Sequence, residues 1–138
     1  MFQFIFGLAL LIVSGCSSVP MATEQEDQAA KKFQASSDHS IIYVFRDQIL
    51  LSAGVTTPFF LDGKLVAGIS DFTFCQLDVA PGEHKLSASS NTGLFASLPI
   101  TTEASQIYFF RLTGRPRILP VSADEGQRQV QKCKLLQP

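Results

Sequence analysis

Two turn signatures restrict this chain more than any other feature. Asp62-Gly63 stands between Thr56-Thr57-Pro58-Phe59-Phe60-Leu61 and Lys64-Leu65-Val66-Ala67-Gly68-Ile69, and Asp-Gly supplies the positive φ angles of the type I′ turn that joins two antiparallel strands. Ala80-Pro81-Gly82 stands between Phe72 to Val79 and Glu83 to Ser89 and predicts a second hairpin. Short β-branched and aromatic runs separated by Gly, Pro, Asn and Asp are an all-β pattern. Pro58 marks its strand as an edge, or as one that begins late.

Alternation assigns the faces. Cys75, Leu77 and Val79 share one face, and His84, Leu86 and Ala88 continue it, leaving Glu83, Lys85 and Ser87 to solvent. Ser40-Ile41-Ile42-Tyr43-Val44-Phe45-Arg46 is apolar on both parities until Arg46, which predicts a central strand covered on both faces. Leu94 to Thr101, Gln106 to Leu112 and Arg117 to Val121 supply further strands. Ser122-Ala123-Asp124-Glu125 has the spacing of a capping box, so a helix is expected to about Lys134, with Gly126 a soft spot and Val130 and Cys133 on its apolar side. Upstream, Glu24-Gln25-Glu26-Asp27 followed by Ala29-Ala30-Lys31-Lys32-Phe33 places acids before bases and predicts another short helix. Ala29, Ala30 and Phe33 would dock it. The sum is a small antiparallel β-sandwich of about seven strands with a short helix at each end of the mature chain.

The N-terminus carries an address. Phe4 to Val13 is an apolar run too short to span a bilayer, closed by Val13-Ser14-Gly15-Cys16. This resembles the bacterial lipoprotein signal, in which cleavage before the cysteine leaves a thioether-linked diacylglycerol on its sulfur. Residues 1–15 are thus expected to be a removed signal, 16–38 a lipidated cysteine with polar tether and short helix, and 39–138 the sandwich with its C-terminal helix. The polar tether itself covers Ser17 to about Gln28. In lipoproteins of this kind a Ser after the cysteine, here Ser17, implies export to the outer membrane, facing the periplasm.

Phe59-Phe60-Leu61-Asp62-Gly63-Lys64 and Leu77-Asp78-Val79-Ala80-Pro81-Gly82-Glu83-His84-Lys85-Leu86 resemble the hairpins of PEGA-type surface-layer modules. Together with Ile42-Tyr43-Val44-Phe45-Arg46, Tyr108-Phe109-Phe110-Arg111-Leu112 and the Glu125 to Cys133 tail, the mature chain is similar to a family of short bacterial lipoproteins known only as a domain of unknown function. The shared positions are turn and core residues. They imply a fold and an address, but no catalytic residue.

Eleven Lys and Arg against twelve Asp and Glu, without a block of one sign, exclude an electrostatic nucleic-acid binder. Only His39 and His84 offer an imidazole. His39 beside Asp38 and Ser40 cannot form a relay, because neighbours on a strand point to opposite faces. His84 is expected at the sandwich edge, bonded to a backbone carbonyl; the competing reading is a hydrolase of envelope substrates using His84 with Asp78 or Glu83. Cys75, Cys133, His39 and His84 lack the short pair spacing of a zinc site, so neither metal nor cofactor is implied.

With Cys16 consumed by lipid, Cys75 and Cys133 form an even pair in an oxidising compartment. The expectation is a disulfide pinning the C-terminal helix to the strand of Cys75, with loop closure giving roughly 4 kcal/mol; the alternative is two buried thiols. Two surfaces suggest a partner: the aliphatic Ile49-Leu50-Leu51 run and the cluster of Arg111, Arg115 and Arg117 around Gly114 and Pro116. The function expected is that of a non-enzymatic, membrane-anchored accessory that binds an envelope protein or cell-wall component.

Overall fold

The computed structural model describes residues 20–47, 56–90, 93 and 95–137 of the 138. The segment 1–15, Cys16 and Ile49-Leu50-Leu51 lie outside the described residues.

The elements run α1 (Glu24–Ala30), β1 (Ser40–Arg46), β2 (Thr57–Leu61), β3 (Lys64–Ile69), β4 (Thr73–Val79), β5 (Gly82–Ser89), β6 (Phe95–Thr102), β7 (Ile107–Leu112), β8 (Ile118–Val121), α2 (Ala123–Val130) and β9 (Lys134–Leu135). Two sheets face each other, one of five strands in the order β8-β7-β1-β4-β9 and one of four in the order β3-β2-β5-β6. β1 takes the middle of the larger sheet, and all seven of its residues are buried, as its doubly apolar sequence demands. Ile42, Val44, Phe59, Leu86 and Phe110 are among the side chains that fill the space between the sheets. Each such side chain contributes roughly 1.5–3 kcal/mol by leaving water.

The outer face of the five-stranded sheet carries a second apolar layer. Tyr43, Phe45, Phe74 and Phe109 project there and meet Ala30 of α1 and Val130 of α2. Tyr43 stacks on Phe109 at 5.0 Å, Phe33 meets both edge-on, and the Tyr43 hydroxyl donates to the Ala30 carbonyl at 2.7 Å. No helix among the described residues is long and apolar enough to cross a membrane.

Several expectations are corrected. Ala80-Pro81-Gly82 does not close a hairpin: β4 has β1 and β9 as neighbours and β5 has β2 and β6, so this turn carries the chain from one sheet to the other. Inward parity survives the corner, with Cys75, Leu77, Val79, Leu86 and Ala88 all in the inter-sheet core. Ser87, expected at solvent, is buried on the outer face beside Phe60.

The ladders are not all antiparallel. β1 runs parallel to β7, and β4 parallel to β9, among nine described strands where about seven were expected. Pro58 lies in an interior strand, but β2 pairs with β5 only from Phe59 onward, so the missing N–H falls before that ladder. Ala29 is exposed, whereas Asp27 and Ala30 form the buried side of α1.

The C-terminal helix stops at Val130, short of Lys134, because the backbone there joins the sheet. Lys134 and Leu136 donate to the Phe72 and Phe74 carbonyls at 2.9 and 2.8 Å. Gly126 is a close-packing position and not a soft spot: a Cβ there would overlap the ring of Phe109. Pro20 to Ala22, expected within a free tether, pair with the C-terminal strand. Ala22 donates to Leu135 O at 3.1 Å and Gln137 to Pro20 O at 3.0 Å.

The disulfide is also corrected. Cys75 and Cys133 are both free and buried. Cys75 belongs to the core between the sheets and Cys133 to the layer under the helices, so a continuous sheet separates the two sulfurs. Burial pushes each thiol up to about 12.

Candidate functional site

The first turn signature builds a polar junction in the four-stranded sheet. Asp62 (φ 50°) and Gly63 (φ 81°) take the two positive-φ positions that the Asp-Gly pair is suited to. The turn swings the Asp62 carboxylate toward the start of β5, where one oxygen accepts the Lys85 backbone N–H at 2.7 Å. The other oxygen lies 2.7 Å from His84 Nδ1, while His84 Nε2 lies 2.6 Å from the Ala80 carbonyl. Both partners of the ring are acceptors, so satisfying both contacts requires a proton on each nitrogen, which is the imidazolium form. The hydrogen bond to Asp62, then the one to Ala80, raise the His84 pKa above its ordinary value. The Asp62 carboxyl is correspondingly held below the usual carboxylate range, first by His84 and then by the Lys85 N–H.

This tie borders an open groove of about 440 Å³ shared with Lys85, Pro99 and Thr101. His84 bonds a backbone carbonyl, as expected, but its carboxylate partner is Asp62, neither Asp78 nor Glu83. Asp78 instead pairs with His39, Oδ1 to Nδ1 at 2.6 Å, where β1 begins beside β4, and the pair is open to solvent. Ser40 points elsewhere and donates to the Glu103 carbonyl at 2.7 Å, so Asp38, His39 and Ser40 make no relay. The signal for both pairs lay in the sequence only as isolated His and Asp residues, because their partners come from a different strand or turn.

A larger groove of about 530 Å³ lies beside α1, lined by Gln34, Ser36, Gln76 and Asp78 among others. Gln76 donates to the Tyr43 hydroxyl at 3.1 Å, so its amide is already engaged from within.

Arg111 is not part of a receptive arginine cluster. Its guanidinium holds both oxygens of Asp47 at 2.9 to 3.2 Å and one oxygen of Glu125 at 2.8 Å, and lies over the Phe45 ring. Arg128, Arg111 and Gln129 together hold the Glu125 carboxyl down at about 2. That engagement leaves the α2 cap with only half of the expected box: Ser122 accepts the Glu125 N–H, and the Glu125 carboxylate turns away to the arginines. Arg115 and Arg117 remain exposed on the β7–β8 connection.

In the sequence Arg46 marks only the polar end of β1. It is completely buried, with one nitrogen on the Thr57 hydroxyl and another 3.9 Å from Asp71. Burial lowers its pKa and Asp71 opposes that shift. Among the described residues no group of three or more His, Cys, Asp or Glu side chains is arranged to hold a metal ion.

Fold and site together define a small two-sheet β-sandwich, with the described helices layered on one side, whose histidines act as ties between turns and strands. The chain belongs to the family described as protein of unknown function (DUF2846), whose profile matches residues 36–125. It is also similar to a Haemophilus influenzae protein described as "uncharacterized protein", 30% identical over 139 residues, covering 95% of this chain and 81% of that protein.

Proposed function

We propose that the chain is a lipid-anchored cell-envelope lipoprotein that acts as a non-enzymatic binding or structural accessory, moored through Cys16 at the outer membrane and facing the periplasm. The observation that carries this reading is Val13-Ser14-Gly15-Cys16 closing the apolar run. In the modification, the Cys16 thiol loses its proton and displaces the phosphate headgroup of a membrane glycerophospholipid, so an S–C bond to the diacylglyceryl group replaces the C–O bond to phosphate. Water then hydrolyses the Gly15–Cys16 peptide bond and frees the cysteine amine. Two or more acyl chains hold firmly where one chain holds marginally.

The non-enzymatic part is supported by His84. With both nitrogens committed to acceptors of its own chain, the ring has no lone pair with which to take a proton from a substrate. The hydrolase alternative needs that lone pair. Binding of an envelope protein or wall component falls instead to the exposed loops and sheet edges, Arg115 and Arg117 included.

Feeding cells an alkyne fatty acid tests the anchor. Label is expected on the wild-type chain and not on Cys16→Ala, and an unlabelled wild-type precursor in the cytosol would overturn the reading. In-cell crosslinking of the labelled protein then identifies the neighbour, and Arg115→Ala tests whether that neighbour uses the turn.

A further inference from the structure

The two outer faces of the sandwich are finished differently. The five-stranded sheet is roofed by α1, α2 and Phe33, whereas no helix among the described residues lies over the four-stranded sheet. Register across that bare face places Leu65, Phe60, Ser87 and Ser97 in one row over β3, β2, β5 and β6. Phe95 pairs with Ser89 in the next row on the same side. Leu65 is 65% exposed and Phe95 62%, and they stand on opposite edges of the face. A solvent face of an antiparallel sheet is ordinarily polar. Here the outward residues of β6 are Phe95, Ser97, Pro99 and Thr101, with no charge among them, and the exposed charges of the face, Glu83 and Lys85, stand in the first half of β5, beyond the row of Leu65 and Phe60 and away from Phe95.

The place where the chain enters the body says what this face meets. Pro20 sits in a groove of about 220 Å³ along β3, together with Leu65, Val66, Gly68 and Leu136. Cys16 is the fourth residue before Pro20, so a fully stretched chain puts it at most about 14 Å away. The headgroup zone of one leaflet takes up roughly 5–7 Å of that span. A body moored on so short a leash, and from this edge, carries β3 at the membrane surface.

We propose that the bare face of the four-stranded sheet, led by Leu65 with Phe60 and Phe95 behind it, lies against the phospholipid surface to which Cys16 is moored. This rests on the anchoring reading above. The lipid chains hold the protein to the membrane, and the sheet face fixes its orientation there, leaving the helix-covered face and the Arg115 turn directed to other partners.

The full chain, exported and extracted from cells, is reconstituted into vesicles of phosphatidylethanolamine and phosphatidylglycerol. Leu65→Cys, Phe95→Cys and, on α1, Gln28→Cys each receive an environment-sensitive fluorophore, and some vesicles carry nitroxide-bearing lipid. Acylation of Cys16 is read by mass spectrometry on the same preparation. The Leu65 and Phe95 labels are expected to shift to the blue on reconstitution and to be quenched several-fold more than the Gln28 label. A Phe60→Asp, Phe95→Asp chain labelled at Leu65→Cys is expected to lose most of that quenching while keeping its circular dichroism spectrum.

Quenching equal at all three positions in an acylated sample would overturn the docking and leave the anchor standing. Shielding of Leu65 and Phe95 already in detergent, with crosslinks between copies, would assign the face to a second chain and also overturn it. An unmodified Cys16 would remove both readings together.

Discussion

Asp27 of α1 accepts the backbone N–H of Leu135 in β9 at 2.8 Å, joining residues 108 positions apart in the chain. The same carboxylate holds Lys31 at 2.8 Å, with both side chains almost wholly out of water. One acid thereby satisfies the outer N–H of a two-residue strand and a nearly buried ammonium. Replacing it strips both at once.

Asp27→Ala is therefore expected to destabilise the protein by about 2–4 kcal/mol, and Asp27→Asn, which keeps an acceptor oxygen, by about 1–2 kcal/mol. Urea midpoints at constant slope measure both. Equal losses for the two variants would mean that the Lys31 charge, and not the Leu135 bond, sets the cost.

Gly126→Ala reverses the usual rule for helices. In an open helix the change would gain about 1 kcal/mol, but here the new methyl meets the Phe109 ring. A loss of about 1–3 kcal/mol is expected. In Phe109→Leu the same substitution should cost much less, and a double-mutant cycle would record that coupling.

The Asp62–His84 tie makes stability depend on alkalinity. The His84 pKa lies above its ordinary 6.5 in the folded chain, so the protonated ring binds its proton more tightly folded than unfolded. Its contribution is complete below 6.5 and is lost as the pH rises through the folded value. His84→Gln should flatten this decline in the melting temperature between neutral and mildly alkaline pH. His39 is raised in the same direction by Asp78, but both side chains stand in water, and His39→Gln should change the profile less.

Acid acts through the carboxylates. Asp62 and Glu125 both titrate below their ordinary range in the folded chain, Glu125 at about 2. Their contributions are present above the unfolded values and are lost as the pH falls through the folded ones. Glu125→Gln should remove part of this acid sensitivity and loosen α2 from Arg111, readable as faster amide exchange in residues 123–130.

Cys75 and Cys133 should resist alkylation while the protein is folded, and both should react after unfolding without reductant. A single reactive thiol, or none, would contradict their placement on opposite faces of the sheet.

Much of the fold was legible because alternation is a local property. The inward faces of β4 and β5 and the double burial of β1 all follow from parity within one strand. What parity does not carry is the partner. Whether Ala80-Pro81-Gly82 closes a hairpin or turns a corner depends on which strands compete for the edges of β4, and β1 and β9 take both. β9 itself is two residues long and pairs in parallel, so it leaves no pattern to read. The thiols are a different case. Parity alone turns Cys75 inward, and the helix with Cys133 packs on the other face, so the separation of the two sulfurs is implicit in the sequence. Asp27 and Lys31, four apart, were similarly a visible pair, read as dipole complements instead of a buried contact. The His84 bond to a backbone carbonyl was foreseen; Asp62 as its partner required the hairpin turn in three dimensions.

The pairing of Pro20 to Ala22 with β9 has a mechanical consequence. Any pull on the N-terminus is carried first by the hydrogen bonds of Ala22 to Leu135 and of Gln137 to Pro20. Two such bonds peel away before β1, enclosed in the middle of its sheet, feels the load. Releasing the segment would free three more residues, about 10 Å of extended chain, so strain on that end would be absorbed there while the sandwich stays folded.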